Sequence, residues 1–65
     1  MRYEFRVDGH VSEPVAKAFP ELQNVRAARQ TLFFGSVTDE TQLVGLLGRF
    51  RDFGLQVDEM RQLPD

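Results

Sequence analysis

Thr31-Leu32-Phe33-Phe34-Gly35-Ser36-Val37-Thr38-Asp39 is the stretch whose reading decides the fold. Its first seven residues are rich in aromatic and β-favouring side chains and read as a strand over Thr31 to Val37. Successive strand side chains point to opposite faces, so Phe33 and Phe34 cannot share one. Val37 leads into a helix and belongs to the core; counting back in twos puts Phe33 inward and leaves Leu32 and Phe34 on the face away from the helices. Asp39 with Gln42 forms a pair like a capping box, and Glu40 adds negative charge at the positive end of a helix dipole. The helix that starts there carries the apolar stripe Leu43, Leu46, Leu47, Phe50 and Phe53, with Arg49 and Arg51 in its last turns. Gly54 sits at a left-handed C′ position, and Leu55 and Phe50 form the hydrophobic pair of a Schellman end.

Upstream, Val25 to Ala28 reads as a second strand joined to the first near Arg29-Gln30, without the Asn-Gly or Asp-Gly of a tight hairpin. Arg2 to Asp8 alternates strictly, with Tyr3, Phe5 and Val7 on one face and Arg2, Glu4 and Arg6 on the other. Asp8-Gly9-His10 breaks that strand. Ser12, Glu13 and Pro14 then mark a helix start, Val15, Ala18, Phe19 and Leu22 follow at helical spacing, and Pro20 ends the helix. Downstream, Leu55 to Arg61 is a closing strand in which Met60 is out of phase, and a bulge near Asp58-Glu59 would return it to the buried face. The order β-α-β-β-α-β with right-handed crossovers gives an α+β, ferredoxin-like split βαβ fold: a four-stranded antiparallel sheet, order 4-1-3-2, with both helices on one face. The core is predicted to hold Tyr3, Phe5, Val7, Val15, Phe19, Leu22, Phe33, Val37, Leu43, Leu47, Phe50, Leu55 and Val57.

Residues 1–65 leave room for one small domain with a single core. Apolar residues are 42% and charged residues 28% of the chain, the profile of a globular protein, and six Phe supply a real core. The net charge is −2, and the eight basic residues are scattered rather than clustered, which makes nucleic acid an improbable partner. There is no Cys and only one His, so disulfides and thiolate or imidazole metal clusters are excluded and no cofactor is expected. No apolar leader or membrane span of roughly 20 residues occurs, and a cytoplasmic location is the default expectation.

The opening Tyr3-Glu4-x-Arg6-Val7-x-Gly9, the strand Thr31-x-Phe33-x-Gly35-x-Val37-x-Asp39, the segment Leu43-x-Gly45-Leu46-Leu47-x-Arg49 and the pair Gly54-Leu55 together resemble a family of very short uncharacterised bacterial proteins. The likeness spans almost the whole chain. It implies the same βαββαβ fold; it implies no activity and carries over no catalytic residue. This chain departs from the pattern in the hairpin turn, where it has Arg29-Gln30, and at Phe34, where a polar residue is usual.

Candidate sites are few. Asp8-Gly9-His10 could suggest an acid-base pair, but nothing supplies a partner or pocket, and a strand-to-helix turn is the favoured reading. Gly45 and Gly48 each cost about 1 kcal/mol against Ala within a helix. Either they form a close-packing surface for a partner or, as favoured here, they let the helix approach its own sheet or the first helix. No phosphate-binding glycine motif is present. What remains is the open face, with Leu32 and Phe34 flanked by Arg6 and Arg26, as an interaction surface. The function expected is a non-enzymatic module that joins a second copy, as a homodimer, or another protein through that face. The alternative is a weak single-stranded RNA binder that stacks bases on Phe34.

Overall fold

The computed structural model describes residues 1–64. The elements are β1 (Arg2–Asp8), α1 (Glu13–Ala16), β2 (Gln23–Ala27), β3 (Gln30–Ser36), α2 (Glu40–Asp52) and β4 (Val57–Leu63). The four strands form one antiparallel sheet in the order β2-β3-β1-β4, which is the split βαβ arrangement expected from the alternation of elements.

Helix α2 begins and ends as its sequence dictates. Asp39 is the N-cap and its Oδ1 accepts from the Gln42 N–H at 2.8 Å. The reciprocal bond of a capping box is displaced by one residue: Gln42 Oε1 accepts from the backbone N–H of Thr38 at 2.6 Å and from its hydroxyl at 2.9 Å. At the other end, Gly54 has φ 72°, the Leu55 N–H donates to Phe50 O and the Gly54 N–H to Arg51 O, both at 2.9 Å. These are the two hydrogen bonds of a Schellman motif.

The first helix is shorter than its apolar spacing suggests, with four residues ending before Lys17. Pro20 disfavours the α conformation for Phe19. The chain therefore leaves the helix through tight turns, with Ala18 N–H to Val15 O and Phe19 N–H to Ala16 O, and these turns, rather than a helix face, deliver Phe19 and Leu22 to the core. Ser12 holds the N-cap position but makes no side-chain cap bond. Pro14 in the first turn lacks an N–H, which removes one of the donors such a cap could reach.

The core lies between the helices and one sheet face. Phe50 of α2 sits at its centre, 4.4 Å between centroids from Phe19, 5.3 Å from Phe5 and 5.2 Å from Phe33, and all four rings are buried. Each such pair adds about 0.5–1.5 kcal/mol beyond burial of area. Val7, Val11, Leu22, Val37 and Leu46 complete the buried set, and Tyr3, Val15, Leu43, Leu47, Leu55 and Val57 pack against it. Phe53, last in the helix stripe, is the C-cap and stays 46% exposed. Thr31 is the one buried polar residue among those described; its hydroxyl donates to Gly9 O and accepts from the Val11 N–H, tying the β1–α1 connection to β3.

Two strand details follow from register. Val7 pairs with Val57 and Arg6 with Glu59, so Asp58 is the extra residue of a bulge; Met60 then lies opposite Phe5 on the helix side of the sheet, but on the edge strand it stays 42% exposed and is not buried as expected. The hairpin turn is Ala28-Arg29, not Arg29-Gln30, because Ala27 pairs with Gln30. Arg29 takes φ 61° while Ala28 is not left-handed, which excludes the primed hairpin turns. Gly35 allows the crossing of the α1–β2 connection: a Cβ there would lie 3.0 Å from Glu21 O and 3.1 Å from Leu22 Cδ2.

Candidate functional site

The sheet face turned away from the helices divides into two halves. Across the strands, Gln23, Phe34, Glu4 and Arg61 form one row, and Val25, Leu32, Arg6 and Glu59 form the next. The β2–β3 half therefore carries an apolar strip, with Val25 49% exposed and Leu32 and Phe34 partly exposed, bordered by the polar Gln23, Gln30 and Ser36. Neither Leu32 nor Phe34 packs against the core cluster. The β1–β4 half is a ladder of ion pairs. Glu4 Oε1 receives Arg6 Nε at 3.2 Å and Arg61 Nη2 at 3.5 Å, and Arg6 Nε also reaches Glu59 at 3.0 Å.

Leu32, Phe34 and Arg6 thus share the open face as the alternation of β1 and β3 requires. Arg26 does not. Period two along β2 sets Val25 and Ala27 on one side and Asn24 and Arg26 on the other, and Val25, not Arg26, lies opposite Leu32. Arg26 pairs with the buried Thr31 position and points to the helix-covered side. The apolar strip accordingly gains Val25, whose face is decided by the register of β2 against β3. The ladder partners Glu59 and Arg61 depend on the bulge at Asp58, which sets their phase.

Gly9 has φ 80°, and the His10 Nε2–H donates to Ala27 O at 2.9 Å, so this segment is a turn stapled to the hairpin. Among the described residues, no group of three or more His, Asp or Glu side chains could hold a metal ion. A Cβ at Gly45 would meet nothing within 4 Å, and one at Gly48 only the end of the Arg51 side chain at 3.9 Å. Close approach of α2 to its own fold, the favoured explanation of these glycines, is therefore incorrect: they lie on the side of α2 away from the sheet. No described helix is long and apolar enough to cross a membrane.

Arg49 joins α2 to the segment before β2. Its Nη1 donates to Ala18 O at 3.0 Å and to Glu21 Oε1 at 2.8 Å, and its guanidinium lies 5.4 Å from the centre of the Phe19 ring. The hydrogen bond from Arg49 lowers the Glu21 pKa below the ordinary carboxylate value, against a smaller opposing effect of burial.

Residues 2–61 match the model of a family described as a domain of unknown function (DUF8691). No curated protein and no solved structure matches the chain.

Proposed function

We propose, for a chain that belongs to the DUF8691 family of domains of unknown function over residues 2–61, a role as a small non-enzymatic interaction module that pairs with a second copy of itself through the open face of its sheet. The observation that carries this reading is the apolar strip of Val25, Leu32 and Phe34 on the face that neither helix covers. Beside it, Glu4 and Glu59 balance Arg6 and Arg61. A balanced face meets no net repulsion from a copy of itself, and a two-fold axis that runs across the strands sets apolar strip against apolar strip.

Size sets the strength. Four strands about 4.8 Å apart, three of seven residues and β2 of five at about 3.3 Å each, cover roughly 410 Å² in projection, a small patch beside the ~800 Å² of accessible surface that each partner of a standard stable interface buries. The association is therefore weak and concentration-dependent. Single-stranded RNA is the lesser reading: the nearest charge to Phe34 across the sheet is Glu4, and Arg6 and Arg61 are already ion-paired. A cytoplasmic location and a bacterial source belong to the same proposal; fractionation of cells making the native chain tests the first.

Sedimentation equilibrium over a wide concentration range tests self-association. The expected result is a mass rising from monomer toward dimer, little altered by salt, and abolished by Phe34→Ser with the monomer still folded. A wild type that stays monomeric overturns the reading. Binding of a labelled oligo-uridine that falls steeply with salt would favour RNA instead.

A further inference from the structure

The opposite side of β2 carries a second feature, independent of the open face. Between α1 and β2 runs a groove of about 530 Å³, open to solvent. Its floor is Val11, Phe19 and Leu22; Lys17 stands on the helix side, Asn24 and Arg26 on the strand side. The groove exists because α1 is only one turn long and because the side chains that β2 sends to this face are polar and do not fill it.

The strand beside the groove is an unprotected edge. β2 pairs only with β3, and in an antiparallel ladder alternate residues direct their N–H and C=O away from the partner strand. Such an edge is a template for another extended chain. The other edge, β4, is blunted by the bulge at Asp58 and by the charges of Asp58, Glu59 and Arg61; β2 has neither bulge nor proline. The only hydrogen bond to β2 from outside the sheet, among the described residues, is that of His10 to Ala27 O at the hairpin end.

Charge selects the occupant. Lys17 is matched by Glu13 at 3.2 Å, whereas Arg26 makes no ion pair among the described residues, so the groove carries one uncompensated positive charge next to the free edge. We propose that β2 and this groove bind an extended peptide segment of another protein, added to the sheet as a fifth strand, with a carboxylate on its groove-facing side held by Arg26. Main-chain hydrogen bonds to β2 supply general affinity, and Arg26 selects an acidic side chain at one alternate position.

The test is an NMR titration of the full chain with a blocked hexapeptide of alternating Val and Glu. Two controls share its strand propensity: a Val-Lys hexapeptide, and the Val-Glu peptide with alternate amides N-methylated. The expected result is saturable shifts centred on the amides of Asn24, Val25 and Arg26 with the Val-Glu peptide, at least roughly tenfold weaker binding of the Val-Lys peptide, and no shifts with the N-methylated control. Arg26→Gln should weaken binding roughly tenfold, the usual worth of a charge-assisted hydrogen bond. Arg26→Lys should restore part of it, and Arg26→Glu should switch preference to the Val-Lys peptide. No saturation up to the solubility limit, shifts centred on β4 or on Leu32 and Phe34, equal binding of either control, or indifference to Arg26→Gln would each overturn the proposal. So would β2 amide shifts that grow with protein concentration alone, which would assign the edge to a second copy.

Discussion

Phe33 and Phe34 are adjacent in sequence and chemically identical, so replacing each by Ala isolates the effect of the face on which it lies. Phe33 is fully buried, with its ring 5.3 Å from Phe19 and 5.2 Å from Phe50. Its removal leaves a cavity in the centre of the core, and such Phe→Ala changes cost about 3–5 kcal/mol. Phe34 has no core ring beside it; its cross-strand neighbours are Glu4 and Gln23. Complete burial of a Phe contributes about 1.5–3 kcal/mol, and a half-buried one roughly 1 kcal/mol. A domain of 65 residues has about 3–10 kcal/mol of stability in all, so Phe33→Ala removes roughly a third of it or more and Phe34→Ala a small part. Urea denaturation followed by circular dichroism, at a concentration too low for association, measures both. Equal losses, or a larger loss for Phe34→Ala, would refute the assignment of faces on which the interaction surface rests.

Three further outcomes are expected. Asp39→Ala should destabilise by about 0.5–2 kcal/mol through loss of the bond to the Gln42 N–H, and Asp39→Ser should recover most of it; thermal unfolding of both variants checks this. Gly45→Ala, entering open space on α2, should stabilise the monomer by up to about 1 kcal/mol, and a loss in urea denaturation would contradict the open surroundings of that residue. Because the folded-state pKa of Glu21 is depressed, its pair with Arg49 contributes fully above the ordinary carboxylate value, and the contribution is lost as pH falls through the folded value. The pair is partly exposed and worth at most about 1 kcal/mol. As pH falls from the ordinary carboxylate value through the depressed folded value, stability should therefore fall less in Glu21→Gln than in the parent chain, and curves parallel over that window would contradict the shift.

The parts of the fold most legible in the sequence are those in which one residue type has one geometric use. Gly54 in a left-handed C′ position, Asp39 at an N-cap and the period-two run of β1 each fix a local conformation by stereochemistry alone. The phase of β3 followed from Val37, and the need to restore the phase of Met60 located the bulge at Asp58. The length of α1 was not legible, because Ala16, Lys17 and Ala18 are good helix formers and the effect of Pro20 on Phe19 reaches further back than a simple stop. The hairpin turn was hidden as well: Arg29 adopts φ 61° without being Gly or Asn, so no residue marks the turn, and the register of β2 could not be counted from it. Without that register the sequence sets Arg26 on the open face, in the place that Val25 occupies. The environment of Gly45 and Gly48 depends on what lies outside α2, which local spacing does not encode.

Pairing of two copies through the open face is tested most directly by isotope-filtered NOEs in a mixture of labelled and unlabelled chains at high concentration. Intermolecular contacts are expected among the side chains of Val25, Leu32 and Phe34 and none from the outer side of α2, where Val44 is 63% exposed. Intermolecular contacts from Val44 or Phe53 without any from Leu32 or Phe34, or no intermolecular contacts at all, would contradict it.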